Sequence, residues 1–210
     1  MSTPTAQPEI VKRPLPPGWR WVKLGEVCEQ DRIIVEPDSP LSERLTYLSL
    51  EHIDSNTGRI LKEPVERIEN EGKSATFAFD GRHVLYGKLR PYLNKVALPE
   101  FPGRCTTEII PLLPSKGVDR EFLFWLLRRP ETVEGAVQYK TGSRMPRADI
   151  NELMKLVIPL PPLAEQRRIA AMLRKQMDAV ERLRRTLEEQ LETINKLPAA
   201  ILSKAFNGGL

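Results

Sequence analysis

Two short segments hold the side chains best suited to chemistry. Across residues 87–95, Lys88, Arg90, Tyr92, Asn94 and Lys95 interleave cations with an aromatic ring and an amide. Across residues 141–147, Thr141, Ser143, Arg144 and Arg147 add two hydroxyls and two guanidinium groups. Lysine and arginine neutralise phosphates, hydroxyls hydrogen-bond to them, and arginine or asparagine reads base edges in the major groove. The nine residues therefore form a candidate DNA-contact set. The plainer alternative is a pair of solvated loops, with Arg90 paired to a local carboxylate and Tyr92 in the core.

Catalytic constellations are missing from the sequence. It has no glycine-rich phosphate loop with its lysine, and no Asn/Asp-Pro-Pro-Tyr box of the kind amino-methyltransferases use. His52 and His83 are the only histidines and lack metal-ligand spacing, so both read as structural, and no metal site is expected. Cys28 and Cys105 form no Cys-x-x-Cys pair and read as reduced thiols of a cytosolic protein, with a stray surface thiol an equal alternative for either. One nuclease-like pattern exists: Asp38 after Pro37, with Glu71 and Lys73 around Gly72. Two-metal nucleases use such carboxylates and a lysine, but residues 71–73 lie in a polar, turn-like stretch, and so short a pattern arises easily by chance.

The chain carries a net charge of +4 and has a pI near 9.1. This mild basicity is compatible with nucleic acid. A composition 40% hydrophobic supports a real core in 210 residues, enough for one ordinary domain plus an extended element. The longest apolar run, Phe122 to Leu127, is far short of the roughly 20 residues a membrane span needs, so no membrane partner is expected.

The elements that must position the two basic segments alternate between strand and helix. Residues 1–17 are proline-rich and read as a disordered tail. Trp19 and Trp21 sit two apart, as on one face of a strand, and read as core anchors, with binding aromatics the alternative. Residues 36–42 read as a loop. Strands are expected at 44–53, 59–61, 76–79, 83–86, 96–98 and 104–113, with turns at 54–58 and around Asp80-Gly81. Asp119 or a neighbour caps a helix carrying Phe122 to Leu127, a second helix runs from Pro130 toward Tyr139, and Asp149 or Asn151 opens a third. A strand at Val157-Ile158 leads into residues 159–162, read as a stiff proline hinge.

A long helix follows. Ile169, Leu173, Gln176, Val180, Leu183, Leu187, Gln190, Ile194, Leu197 and Ile201 are spaced alternately by four and three residues, and eight of the ten are apolar. That is a heptad seam. Pro161 and Pro162 suit its start, and Pro198 should end or kink it. Over residues 163–197 the helix is about 50 Å long, too long to stand unsupported. No second heptad run exists in the chain, so the expected partner is another molecule; the alternative is a helix lying alone on its own domain. Gln176 and Gln190 either fix register or tolerate a solvated edge. The expected fold class is a mixed α/β globule (residues 18–160) followed by a long C-terminal coiled-coil α-helix (residues 161–210).

The chain resembles the specificity subunits of type I restriction–modification systems. The resemblance covers residues 16–210. It rests on Leu15-Pro16-Pro17-Gly18-Trp19 with Lys23-Leu24-Gly25-Glu26-Val27, on Leu85-Tyr86-Gly87-Lys88-Leu89-Arg90-Pro91-Tyr92, and on Thr141-Gly142-Ser143. Its most specific part is Ile158-Pro159-Leu160-Pro161-Pro162-Leu163-Ala164-Glu165-Gln166-Arg167-Arg168-Ile169-Ala170, and the ending Ile201 to Leu210 is also similar to the family's close of a conserved helical region. Family members usually hold two target-recognition domains and two long antiparallel helices, whereas this chain has one of each, the pattern of a half-size subunit. The resemblance implies a non-catalytic, cytoplasmic protein that binds double-stranded DNA as a homodimer and reads a bipartite palindromic site. It also implies partners: modification subunits, which carry S-adenosylmethionine and methylate adenine, and restriction subunits, which use ATP. Neither cofactor is expected on this chain. A DNA-free coiled-coil scaffold, a metal-dependent nuclease, and pairing with a different half-subunit are the rival readings.

Overall fold

In the computed structural model, residues 14–62, 74–142 and 145–207 are described. Ser143, Arg144, Glu71 and Lys73 lie outside them, as does most of the proline-rich tail, although the Trp19 amide already donates to Pro16 O (3.1 Å).

In chain order the strands and helices are β1 (Arg20–Lys23), β2 (Cys28–Gln30), β3 (Ile34–Val35), α1 (Pro40–Arg44), β4 (Thr46–Leu48), β5 (Thr76–Phe79), β6 (Val84–Gly87), β7 (Val96–Ala97), β8 (Gly103–Thr106), β9 (Ile109–Pro114), α2 (Arg120–Leu127), α3 (Pro130–Gln138), β10 (Lys140–Thr141), β11 (Arg147–Ala148), α4 (Ile150–Lys155), β12 (Val157–Leu160) and α5 (Leu163–Phe206). One four-stranded sheet has the order β2-β9-β6-β7 and the other β3-β5-β8-β4; two-stranded ribbons join β1 to β12 and β10 to β11. Only the β4–β8 pairing is parallel among these ladders. The mixed α/β class with a long terminal helix is what the sequence led us to expect.

The β6 strand explains the layering. Val84 and Tyr86 join a core with α2, α4 and β12, while Leu85 joins Leu48, Phe79, Cys105 and Ile109 between the two sheets. A strand buried on both faces must be apolar at every position, and β6 is buried throughout. The middle sheet is thus sandwiched between the second sheet and the helices. Gly58 allows a close approach: it sits at φ +73°, and a Cβ there would lie 2.5 Å from Val96 O and 2.8 Å from the Phe124 ring.

Several expected elements are shorter or broken. The run at 104–113 is two strands, because the chain turns at Thr107-Glu108 and passes from one sheet to the other. The run at 44–53 stops at Leu48, since Ser49 starts a 3-10 turn in which its amide donates to His52 Nδ1 (3.1 Å). Part of the loop at 36–42 is helical: Ser39 caps α1, with Pro40 at its first position. Pro159 is not in a hinge but in β12, opposite Trp21, which leaves Pro161 and Pro162 as the junction. Pro198 does not end α5, which runs on to Phe206.

The junction is fastened by Gln166, 1% exposed. Its Oε1 accepts from the Asp119 amide (2.8 Å), and its Nε2 donates to Pro161 O (2.9 Å) and Gly117 O (3.3 Å). Asp119 caps α2 by accepting from the Phe122 amide (2.9 Å). One amide side chain therefore ties the start of α5 to the start of α2. Gln166→Leu leaves the buried Pro161 carbonyl and the half-buried Asp119 amide without this partner, each costing roughly 1–3 kcal/mol. We expect a loss of about 3 kcal/mol and a thermal midpoint lower by about 6–12 °C, measured by calorimetry. An unchanged midpoint would show that the junction is held by packing alone.

Candidate nucleic-acid interface

The two basic segments, fifty residues apart in sequence, are zipped together. The Lys88 amide donates to Glu108 O (2.9 Å), the Ala148 amide to Lys88 O (2.8 Å) and the Arg90 amide to Pro146 O (2.7 Å). Leu89 and Arg147 form an isolated antiparallel bridge, and β10 pairs with β11 through Thr141 and Arg147. One continuous surface carries both loops.

The first loop is built around two left-handed residues, Arg90 (φ 50°) and Asn94 (φ 52°), which flank a single 3-10 turn at Pro91–Leu93. Asparagine adopts this conformation readily, whereas for arginine it costs roughly 1 kcal/mol. The strain is held by a clamp. Asn94 Nδ2 donates to Arg128 O (3.2 Å), and Arg128 Nη1 donates back to Asn94 O (3.0 Å). The other arm of Arg128 donates to Ser55 O (3.1 Å) and Asn56 O (2.6 Å), and its guanidinium lies over the Phe124 ring. Burial pulls the Arg128 pKa below its ordinary value, opposed by Asp54. Lys95 Nζ donates to Leu50 O (2.6 Å).

The nine expected contact residues thus separate by environment. Arg90 is exposed, Tyr92 is 54% exposed, and Lys88 is half-buried; none of these side chains bonds to another group among the described residues. Thr141 is exposed beside Gly142 (φ +82°). Asn94 and Lys95 are engaged inward and support the loop. Arg147 meets Glu108 in a forked pair (Nη2 to Oε1 2.8 Å, Nε to Oε2 3.1 Å), and the hydrogen bonds it donates to Glu108 raise the Arg147 pKa. Ser143 and Arg144 fall in the gap between described residues. Arg128 and Glu108 escaped the sequence reading. Arg128 gives no local signal; Glu108 did, as the one acid interrupting the apolar run around it.

No group of three or more His, Cys, Asp or Glu residues is placed to hold a metal among the described residues. His83 bridges Asp31 (3.1 Å) and Asp80 (3.0 Å). Both cysteines are buried, which pushes each thiol up to about 12.

The long helix divides in two. Its first part packs on the domain, with Ala170 buried, Arg174 paired to Glu121 (2.8 Å) and Asp178 to Arg59 (3.1 Å). Along the seam, Ile169 and Leu173 are half-buried and Gln176 is exposed. Beyond, Val180, Leu183, Leu187, Ile194, Leu197 and Ile201 are each at least half exposed, and Gln190 is exposed too.

Known proteins resemble the chain in sequence and fold. The chain is 30% identical over 199 residues to the type I restriction enzyme EcoDI specificity subunit of Escherichia coli, covering 93% of this chain and 43% of that protein. It is 25% identical to the MjaVIII specificity subunit of Methanocaldococcus jannaschii, covering 93% and 44%. The solved HsdS subunit from Thermoanaerobacter tengcongensis superimposes with a TM-score of 0.67 at 30% identity, covering 89% of this chain and 49% of that one. A chain from a structure on assembly and conformational transition of the type I R-M system superimposes at 0.74, with 30% identity and 92% and 50% coverage. The chain spans less than half the length of these two curated relatives. With the type I restriction modification DNA specificity domain matching residues 16–193, over a mixed α/β fold followed by one long helix, this chain belongs to that family.

Proposed function

We propose that the chain is the non-catalytic DNA-reading component of a type I restriction–modification complex and works as a homodimer. The observation that carries this reading is the bare seam of α5: six large apolar residues from Val180 to Ile201 lie in water at heptad spacing. A contiguous apolar face of that kind marks an interface. A second copy supplies a matching seam and a second reading domain, and a two-fold dimer reads a two-fold site. The target is then a bipartite palindrome on double-stranded DNA with an unread spacer. Modification subunits supplying S-adenosylmethionine, and restriction subunits supplying ATP, dock on the assembled dimer in the cytoplasm, and neither cofactor binds this chain.

Co-expression with the neighbouring modification subunit, followed by genome-wide mapping of methylated adenines, tests the proposal. A palindromic bipartite motif is expected. An asymmetric motif would mean that a different half-subunit occupies the second place, and absence of any motif would overturn the reading. Gln176→Leu with Gln190→Leu should leave the dimer intact by light scattering while admitting additional helix alignments; a single unchanged register would count against a register role for these amides.

A further inference from the structure

Among the described cations of the two basic segments, Arg147 alone is held by a carboxylate. Its backbone is fixed from both sides: it pairs with Thr141 in the β10–β11 ribbon and with Leu89 across an isolated bridge. Its side chain is fixed separately. Nε donates to both oxygens of Glu108 (3.0 and 3.1 Å), and Nη2 donates to Oε1 (2.8 Å). Glu108 lies in the turn between β8 and β9, and its carbonyl accepts from the Lys88 amide. The carboxylate is thus anchored to the same ladder as the guanidinium it holds.

This pair uses only one edge of the guanidinium. Arginine has five N–H donors. The edge formed by Nε and the near side of Nη2 faces Glu108. The terminal edge carries one hydrogen from each of Nη1 and Nη2. Among the described residues, the remaining contact of either nitrogen is a long Nη1 bond to Met145 O (3.4 Å), at the outer limit of hydrogen bonding and easily exchanged. Two parallel donors on a planar edge match O6 and N7 of guanine in the major groove. A phosphate accepts the same fork, but two features of the site favour the base. The Glu108 carboxylate offsets the charge that would attract a phosphate and repels one brought beside it, whereas the edge of guanine carries no net charge. Holding the side chain in one orientation adds little to a contact made by charge alone, yet it lowers the ordering cost of a directional two-bond contact. The fold itself gains little from so exposed an ion pair.

Resting on the DNA-reading role proposed above, we infer that Arg147 reads a guanine through its terminal edge and that Glu108 is the residue that positions it. Lys88 and Arg90, on the adjoining loop and without such a carboxylate, supply the phosphate contacts that set the surface against the groove. The target half-site then contains a guanine whose recognition depends on Arg147.

Selection from a randomised duplex library by the full-length chain tests this. Arg147→Ala should erase the preference for one guanine, a loss of roughly 10- to 100-fold, and keep the rest of the consensus. Arg147→Lys, which retains the charge without the fork, should lose the same guanine. Placing 7-deazaguanine there removes the N7 acceptor and should weaken the wild type about 10-fold without affecting Arg147→Ala. Glu108→Ala separates positioning from charge. Removing an acid from a DNA-binding surface strengthens binding to every sequence, whereas losing the support of Arg147 lowers discrimination at one base pair. We expect discrimination at that guanine to fall at least about 5-fold, and Glu108→Gln, which keeps one acceptor oxygen, to regain part of it. A uniform gain in affinity with guanine preference intact overturns the positioning role. Retention of every guanine by Arg147→Ala or Arg147→Lys overturns the base contact while sparing DNA reading, and loss of the whole consensus marks Arg147 as a folding residue and overturns it as well. A wild-type chain that enriches no sequence overturns both this inference and the DNA-reading role.

Discussion

Leu183→Lys with Leu187→Lys should turn the proposed homodimer into a monomer that binds a bipartite DNA target no better than a single half-site. Leu183 and Leu187 are 65% and 64% exposed, so neither contributes to the packing of its own domain, and the thermal midpoint of the globule should not move. In the dimer each leucine buried is worth about 1.5–3 kcal/mol, and four are removed together. Four ammonium groups then meet at the centre of the helix pair, where no carboxylate lies on the seam. The sum exceeds about 6 kcal/mol, or more than a 10⁴-fold weaker dimer. Affinity for the two-part site falls further than affinity for a half-site, because tethering the second reading head supplies an effective concentration that the monomer lacks. Sedimentation equilibrium and binding to one-half-site and two-half-site duplexes measure both effects. A double variant that remains dimeric would place the self-association surface elsewhere, with Ile33, Ile34 and Leu41 the next exposed apolar residues to test.

The long helix and its apolar stripe were legible in the sequence because heptad spacing is a one-dimensional signal: nothing distant is needed to place Leu183 beside Leu187. The caps were legible for the same reason. Asp119 and Asp149 announce α2 and α4 through bonds to amides two or three residues on. What escaped depends on groups far apart in the chain. The strand expected at 104–113 breaks because its two halves serve different sheets. Pro159 sits in a strand because β1, more than a hundred residues earlier, supplies its partner. Lys95 and Asn94 looked equivalent to Arg90 as loop polar residues. Only the tertiary positions of Leu50 and Arg128 turn the first two inward. Composition identified a basic loop, but it took the fold to divide that loop into residues that support and residues that face outward.

That division makes the second large effect specific. Lys88→Ala with Arg90→Ala should weaken DNA binding about 10- to 100-fold at moderate salt and flatten the dependence of log affinity on log salt by ~0.9 for each phosphate no longer neutralised. Neither side chain bonds within the described residues, so folding is largely spared. Lys95→Ala should do the reverse. It removes the bond from the Lys95 ammonium to Leu50 O, which then keeps only the Ile53 amide as donor, and lowers stability by roughly 1–2 kcal/mol while leaving the salt slope unchanged. The backbone at Arg90 sharpens the contrast. Arg90→Gly and Arg90→Ala remove the same charge and should reduce DNA affinity equally, but glycine accepts φ 50° without penalty. The glycine variant should therefore be more stable than the alanine variant by about 1 kcal/mol. Equal losses in affinity with unequal stabilities would separate what the guanidinium does on DNA from what the loop conformation costs the fold. If instead both variants keep full affinity and an unchanged salt slope, Arg90 is an exposed loop residue and the reading surface lies elsewhere on the domain.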